Sequence, residues 1–237
     1  MPSQSLVVRN RLLASLPADV LAALLPKLVP VTLTVRQPIY DPDSVIEAVY
    51  FPESGMFSLV ANLDDGMQVE VGIIGREGML GVSLLSGTDT SFIEVMVQLP
   101  GAALRMAVGD FRHELELNAP FRMLLLRYNE ALHAQIMQTA ACNGRHGLEQ
   151  RLARWLLMAH DRVSGDELPL TQEFMAMMLG VHRPSITVTA SILQRAGLIR
   201  YSGGRVTVLD RCSLEAASCE CYGAVRRRFT AVLGSAS

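Results

Sequence analysis

The sequence predicts an α+β fold in which a β-rich domain precedes a long helix and a smaller helical domain that includes a β-hairpin. Residues 29–108 hold short alternating apolar stretches separated by turn signals. Residues 121–139 repeat large side chains at helical spacing, and residues 170–209 resemble two short helices followed by two short strands. The predicted boundaries are 1–117 for N-terminal helices and the β-domain, 118–143 for the long helix, and 144–237 for the C-terminal domain.

Charge is distributed unevenly along the chain. The net charge of the 237 residues is −2, but residues 1–143 carry −6 and residues 144–237 carry +4. A basic domain joined to an acidic one is typical of a protein in which one part contacts nucleic acid. The apolar stretch at 12–31 is interrupted by prolines and charges, and a membrane span needs about 20 uninterrupted apolar residues. We therefore expect a soluble, cytoplasmic protein without a secretory signal or membrane contact.

The β-domain is predicted as a small antiparallel barrel or jelly roll, because many short strands recur at regular spacing. Its glycines at every third position from Gly72 to Gly81 do not form a dinucleotide-binding motif, and we interpret them as tight corners. The turn signals include Glu53-Ser54-Gly55 and Pro100-Gly101. The strand candidates are 31–35, 49–51, 57–60, 69–73 and 92–97.

A short helix at 110–115 precedes a long helix that should run from after Pro120 to about Ala141. Alternating three- and four-residue steps in the long helix favour a coiled-coil seam between two subunits, and the alternative is packing on its own β-domain. A hinge is expected at Asn143-Gly144, with the first helix of the next domain opening at Leu148. The seam residues are Phe121, Leu125, Tyr128, Leu132, Gln135 or Ile136, and Thr139.

Residues 170–199 favour a helix–turn–helix. Thr171 is a candidate N-cap, Gly180 suits a left-handed helix end, and Pro184 is tolerated in the first turn of the second helix. Two strands around Gly203-Gly204 would follow as a hairpin, which completes a winged helix. Most helical hairpins bind nothing, but the small polar face of the second helix and the arginines beside the hairpin tip favour contact with DNA.

The order of β-domain, long helix, hinge and winged helix resembles the Crp/Fnr superfamily, the cyclic-AMP receptor protein and its relatives. The resemblance runs from about Leu16 to Leu209 and is most specific at Gly78-Met79-Leu80-Gly81 and at residues 170–199. It implies a cyclic-nucleotide-binding-like domain and a bacterial transcription regulator. It also implies a homodimer on a palindromic DNA operator, with RNA polymerase as a further partner. The alternative is a sensing or protein-interaction module that no longer reads DNA specifically.

By this resemblance, Arg183 stands where family members read guanine. Two other base-reading positions differ, because Pro184 and Val188 replace the usual glutamate and arginine. The family's most familiar half-site is therefore not expected. The predicted DNA-binding residues are Thr171, Gln172, His182, Arg183, Ser185, Thr187, Val188, Ser191, Arg200, Ser202 and Arg205.

The effector region departs further from cyclic-nucleotide binders. Val82 replaces the ribose-binding glutamate, and Thr90-Ser91 stands where the phosphate-binding Arg-Ser pair would fall. Without the arginine a cyclic phosphate loses its charge-assisted partner, so we expect no cyclic-AMP binding. Another apolar or weakly polar effector, or a scaffold role alone, remains open. The predicted effector pocket comprises Gly78, Leu80, Gly81, Val82, Thr90, Ser91, Leu132 and Ile136.

No cofactor, metal or catalytic site is predicted. The four cysteines, at 142, 212, 219 and 221, include no Cys-x-x-Cys pair, and none lies near the N-terminus, where the oxygen-sensing relatives hold an iron–sulfur cluster. A metal site formed by Cys212, Cys219 and Cys221 is therefore not expected. Nucleophile-elbow, zinc-protease and P-loop motifs are absent, so we expect no enzyme activity.

Overall fold

The computed structural model describes residues 8–234. The strands are β1 Val29–Leu33, β2 Pro38–Tyr40, β3 Ala48–Asn62, β4 Gln68–Ile74, β5 Glu94–Ala107, β6 Glu167–Leu168, β7 Ile199–Ser202 and β8 Arg205–Val208. The helices are α1 Arg11–Ala14, α2 Ala18–Leu24, α3 Val108–Leu117, α4 Ala119–Arg145, α5 Leu148–His160, α6 Gln172–Leu179, α7 Arg183–Arg195, α8 Arg211–Ala217 and α9 Cys221–Leu233. Within this part of the chain, no helix has the length and apolar character required to cross a membrane.

The N-terminal sheet is antiparallel, in the order β1-β5-β3-β4, with β2 also paired to β5. Over the described residues the ladder ends at β1 and β4 and does not close into a barrel. The α+β class and the order of the elements are as predicted. The sequence pattern did not predict β2, because a three-residue strand gives almost no periodic signal. It also predicted two strands where the structure has the single strand β3.

Two predicted turns, at 53–55 and 100–101, are wrong. Both segments lie inside long strands, where the β3–β5 register shifts at Pro52/Ser54 and again at Ser54/Met56. Gly55 has φ +80°, and a Cβ on Gly101 would lie 2.3 Å from the carbonyl oxygen of Ser54. The glycines therefore allow the two backbones to approach and bend as β-bulges, rather than reversing the chain.

The predicted seam of α4 packs on its own β-domain, so its assignment to a subunit interface is wrong. Phe121 packs edge-on against Phe111 with ring centroids 5.9 Å apart. Tyr128 Oη donates to the carbonyl of Met79 at 3.0 Å, and Gln135 Oε1 accepts from the backbone N–H of Ile73 at 2.8 Å. Heptad spacing describes one buried stripe and does not say which surface covers it.

The predicted hinge at Asn143-Gly144 is also misplaced, because both residues lie within α4. The helix continues to Arg145, and the extended backbone of His146 and Gly147 then redirects the chain into α5. Glycine costs a helix about 1 kcal/mol but does not end it when neighbouring turns are packed. Here Cys142 is fully buried one turn before the end.

The C-terminal domain, from α5 onwards, packs against the sheet domain. Trp155 in α5 donates its indole N–H to Glu70 of β4 at 2.7 Å. Arg162, just after α5, forms a buried ion pair with Glu77, with 3.0 Å between Nε and Oε1. The last helix, α9, returns to α4, where Phe229 lies with its ring 6.3 Å from that of Tyr128.

Candidate nucleic-acid interface

Helices α6 and α7 form the predicted helix–turn–helix. Thr171 caps α6 by accepting from the backbone N–H of Phe174 at 3.2 Å, and Gly180 ends it in the left-handed region at φ +61°. Pro184 lies in the first turn of α7, where its missing N–H costs no hydrogen bond. Ile186 and Leu193 are fully buried. Burying this side of α7 leaves its other side facing solvent.

The exposed side of α7 carries small polar groups and one cation at its N-terminal end. Arg183, Ser185, Thr187, Val188 and Ser191 are all exposed. Arg183 forms no ion pair with any residue in 8–234. Val188 is 61% exposed, which places a methyl-bearing side chain among the polar groups. A free guanidinium beside short side chains and an apolar contact is the combination that recognises base edges in the major groove.

Two hydroxyls on this face already donate hydrogen bonds within the protein. Thr187 Oγ1 lies 2.7 Å from Oε1 of Gln172, and Ser191 Oγ lies 2.8 Å from the carbonyl of Thr187. The Thr187 bond links α7 to the N-terminus of α6. Gln172, half-buried, therefore joins the α7 face, with its amide N–H groups left as donors.

The hairpin β7–β8 forms the wing, with Gly203 and Gly204 both at positive φ in the turn. The wing is held against both helices. The backbone N–H of Tyr201 donates to Oε1 of Gln194 in α7 at 2.7 Å, and its hydroxyl accepts from the backbone N–H of Gln172 at 3.3 Å. These two hydrogen bonds could not be predicted from the sequence, because a lone tyrosine and a lone glutamine form no motif.

The two wing arginines differ in their partners. Arg205 forms an exposed ion pair with Glu167 of β6, at 2.5 Å, whereas Arg200 pairs with no acidic group in the described residues. Arg195, which the sequence analysis did not single out, is exposed one turn beyond Ser191 on the same side of α7. Thr187, Ser191 and Arg195 follow one another at four-residue spacing, so helical periodicity alone places Arg195 on this side of α7.

The predicted DNA-binding residues thus occupy one region at the start of α6, the exposed side of α7 and the wing. All of them are exposed except the half-buried Gln172. His182 is the N-cap residue of α7, and Ser202 pairs with Arg205 across the wing turn. The structure gives these positions and their contacts within the chain; what each contacts on DNA stays a prediction.

An apolar cavity of about 310 Å³ lies between the sheet and α4, where most of the predicted effector-pocket residues are found. Gly78 and Thr90 do not line it. A Cβ on Gly78 would lie 2.3 Å from Tyr128 Oη, so this glycine serves the close approach of α4. Among residues 8–234, no arginine, lysine or carboxylate lines the cavity. Of the predicted pocket residues, Leu80, Gly81, Val82, Ser91, Leu132 and Ile136 line it.

Part of the C-terminal domain matches the model of a known protein family. The model of the Crp-like helix-turn-helix domain matches residues 150–217. This range contains α6, α7 and the wing, so the family match and the geometry identify the same elements as the DNA-binding unit. No curated protein matches the chain at a significant level.

Solved structures share the fold over most of the chain. FixK2 from Bradyrhizobium japonicum is 15% identical with a TM-score of 0.69, covering 81% of this chain and 98% of its own. The c-di-GMP responsive global regulator CLP from Xanthomonas campestris is 18% identical with a TM-score of 0.64, covering 82% and 100%. A CRP/FNR-family transcriptional regulator from Thermus thermophilus is 16% identical with a TM-score of 0.62, covering 80% and 98%. The chain therefore shares the fold of Crp/Fnr-family transcription regulators, and its residues 150–217 match the Crp-like helix-turn-helix domain.

Proposed function

We propose that the protein acts in the cytoplasm as a homodimeric, sequence-specific transcription regulator that binds a palindromic operator. The observation that carries this proposal is the exposed side of α7, where Arg183 is free of ion pairs among residues 8–234 and is surrounded by short side chains. A two-fold dimer would present two such helices to half-sites about one helical turn apart. We propose no catalytic activity, and RNA polymerase as a further partner once the protein is bound.

Arg183 is proposed to read a guanine through its two terminal nitrogens, and Val188 to contact a thymine methyl. Arg195, Arg200 and Arg205 would lie along phosphates. Arg183→Ala should weaken operator binding by about 1–3 kcal/mol and relax the preference at one base pair. Arg200→Ala is the matched control, because removing a side chain that binds only phosphate should weaken binding equally across operator variants and lower the salt dependence.

The first experiment is selection of binding sites from random duplex DNA with the purified chain at physiological salt. A recovered palindrome with half-sites about 10 base pairs apart supports the proposal. Failure of Arg183→Ala to alter the selected sequence contradicts the role given to Arg183. Binding that shows neither enrichment nor salt dependence favours the alternative of an interaction module that does not read DNA.

A second stripe of α4 is proposed as the dimer face. Because the predicted seam is covered by the chain's own sheet, the subunit contact must use another side of the helix. Steps of three and four residues continue on the solvent side, and every member of the stripe is exposed. Its last members, alanine and glycine, permit close approach of a second helix. The stripe comprises Met123, Leu126, Glu130, His133, Met137, Ala140 and Gly144.

Leu126→Glu tests this face. In a two-fold contact the same residue enters from both subunits, so two new carboxylates would face each other, and such like-charge contacts cost several kcal/mol. The dimer should dissociate in size-exclusion chromatography with light scattering. Leu117→Glu is the control, since Leu117 is 66% exposed at the end of α3 and lies outside the stripe. If both variants remain dimeric, the dimer uses another surface.

The cavity between sheet and α4 is proposed to take an apolar or weakly polar small molecule. The polar groups that the described residues bring to its lining are hydroxyls and one histidine, with no arginine or lysine that could pair with a phosphate. A cyclic nucleotide placed there would leave its charge unpaired in a partly buried site. Calorimetry with cyclic AMP should therefore show no saturable binding at micromolar concentrations, and such binding would contradict this proposal.

A further inference from the structure

Four side chains with metal-binding atoms converge where α4 ends and α9 begins. Cys142, His146, Cys219 and Cys221 each contribute one ligand atom, and these atoms all lie within 4.8 Å of one another. The three cysteines are buried free thiols, and the histidine is half-buried. The cluster is separate from the DNA-binding surface and from the apolar cavity.

The fold brings these residues together from the end of the long helix α4 and from the turn between α8 and α9. Cys142 and His146 are four residues apart at the end of α4, so they lie on one side of the helix. Cys219 lies in the turn after α8, and Cys221 is the first residue of α9. The Sγ atoms of Cys142 and Cys219 are 3.5 Å apart, and Sγ of Cys221 is 3.5 Å from Nδ1 of His146.

These two separations are close to the edge lengths of a tetrahedron around one cation, and all four ligand atoms lie within 4.8 Å of one another. With Zn–S bonds of about 2.3 Å and a Zn–N bond of about 2.0 Å, neighbouring ligand atoms lie about 3.5–3.8 Å apart. An iron–sulfur cluster holds its ligand sulfurs further apart, because several irons separate them. We propose that Cys142, His146, Cys219 and Cys221 form a structural Zn²⁺ site. With four protein ligands the site is closed, as structural zinc sites are.

The surrounding groups also suit a metal site. Nε2 of His146 lies 3.3 Å from a carboxylate oxygen of Glu220, which leaves the Nδ1 lone pair directed at the cluster. Such a carboxylate–histidine pair orients metal-binding histidines. The amide Nε2 of Gln138 lies 3.0 Å from Sγ of Cys221, as a donor to thiolate sulfur would.

A buried cation compensates the charge of the proposed site. Three thiolates and one Zn²⁺ leave a net charge of −1, which is costly to bury alone. Arg154 is itself buried, and its Nε has no hydrogen-bond partner within the described chain. Its Nη2 donates to Thr139 Oγ1 at 3.0 Å, three residues before Cys142 in α4. Arg154 thus places a positive charge beside the part of α4 that carries Cys142.

The sequence predicted no metal site, and the trio weighed there, Cys212, Cys219 and Cys221, is not the cluster that the fold assembles. Cys212 is exposed and lies outside the cluster, whereas Cys142 and His146 join it from a helix more than 70 residues away. No local spacing could predict this site, because half of its ligands come from the end of α4 and half from the turn between α8 and α9. Zinc would cross-link α4 to the α8–α9 turn, and thereby fix the C-terminal domain relative to the long helix.

The test measures zinc in the full-length chain purified under reducing conditions. We expect one zinc per chain by mass spectrometry of the metal. Cys219→Ser and Cys221→Ser should lose it, and Cys212→Ser is the matched control that should keep it. Cobalt(II) added to the apoprotein should give the intense visible bands of tetrahedral, thiolate-bound Co²⁺. Glu220→Gln should keep that spectrum and weaken zinc affinity roughly 10–100-fold.

Several outcomes would overturn the site. Wild-type protein that holds no zinc when supplied with it, or a weak octahedral cobalt spectrum, excludes it without any variant having to fold. Equal zinc loss in Cys212→Ser and Cys221→Ser would remove the assignment of ligands. Acid-labile sulfide with iron would indicate a cluster instead. A Cys142–Cys219 disulfide in freshly purified protein would indicate an oxidised pair. None of these readouts depends on DNA binding.

Discussion

Replacing Glu70 with glutamine should remove a pH dependence that is built into the contact between the two domains. Glu70 lies in β4 and is 6% exposed. It accepts from the indole N–H of Trp155 in α5, and its Oε2 lies 2.6 Å from Ser58 Oγ. Burial raises the pKa of this carboxyl from 4.5 to about 7, although these hydrogen bonds and the nearby Arg154 and Arg162 oppose the rise. The protonated form is therefore favoured when the domains are packed together.

A protonated Glu70 is compatible with the hydrogen bonds around it. Ser58 Oγ lies 2.6 Å from Glu70 Oε2 and 2.5 Å from Gln98 Oε1, and its single proton cannot serve both acceptors. A protonated Glu70 donates to Ser58, which then donates to Gln98. Glutamine at position 70 supplies the same donor and still accepts from Trp155, so Glu70→Gln should keep the network without the charge.

The size and sign of this pH dependence follow from the linkage between proton binding and unfolding. A shift from 4.5 to about 7 is worth about 3 kcal/mol, at 1.36 kcal/mol per unit. Between these values the folded chain binds more protons than the unfolded chain, so the free energy of unfolding falls as pH rises. This contribution is full below pH 4.5 and lost as the pH passes 7; about 2.5 kcal/mol of it falls between pH 5 and pH 8.

The pH dependence of the unfolding free energy can be measured by denaturant unfolding at pH 5 and pH 8. The proteins compared are the wild type, Glu70→Gln and Glu116→Gln. We expect Glu70→Gln to match the wild type at pH 5 and to exceed it at pH 8 by about 2–3 kcal/mol. Glu116→Gln is the control, because Glu116 is exposed on α3 and should leave the wild-type slope unchanged. A Glu70→Gln variant that keeps the wild-type slope, or is less stable at both pH values, refutes the reasoning.

Two further substitutions test the wing and the packing of α4. Glu167→Gln should free Arg205 from its exposed ion pair and raise DNA affinity roughly 2–5-fold, as measured by fluorescence anisotropy over a salt series; unchanged affinity would mean that Arg205 does not contact phosphate. Gly78→Ala should cost about 3 kcal/mol, because the new Cβ would lie 2.3 Å from the buried Tyr128 hydroxyl. Gly109→Ala meets no atom within 4 Å and should change the unfolding free energy by less than about 0.5 kcal/mol; equal losses in the two variants would contradict the clash.

The C-terminal domain could be predicted from the sequence because its signals are local. A cap at Thr171, a left-handed Gly180 and paired glycines at the wing tip each fix a backbone conformation within a few residues. The exposed side of α7 followed from helical spacing alone. Its internal contacts did not, because Gln172–Thr187 and Gln194–Tyr201 join residues that only the folded packing brings together.

Long-range features were predicted less well, and each error has a physical reason. The α4 seam was identified as a buried stripe, but periodicity cannot distinguish a partner subunit from the chain's own sheet. Gly55 and Gly101 were interpreted as turns, since glycine marks both turns and bulges. The Cys/His cluster required knowledge of which helices meet. In each case the missing information is the identity of the contacting surface.

The arrangement of the cavity suggests how a bound molecule would influence the DNA-binding domain. Val71 and Ile74 of β4, together with Leu132 and Ile136 of α4, line the cavity. The same strand contacts the C-terminal domain through Glu70, and the same helix ends in the proposed zinc cluster. Between them space is tight, because a Cβ on Gly72 would lie 3.3 Å from Ile136. A ligand that displaces β4 or α4 shifts the position of α7 only if it binds the displaced arrangement more tightly.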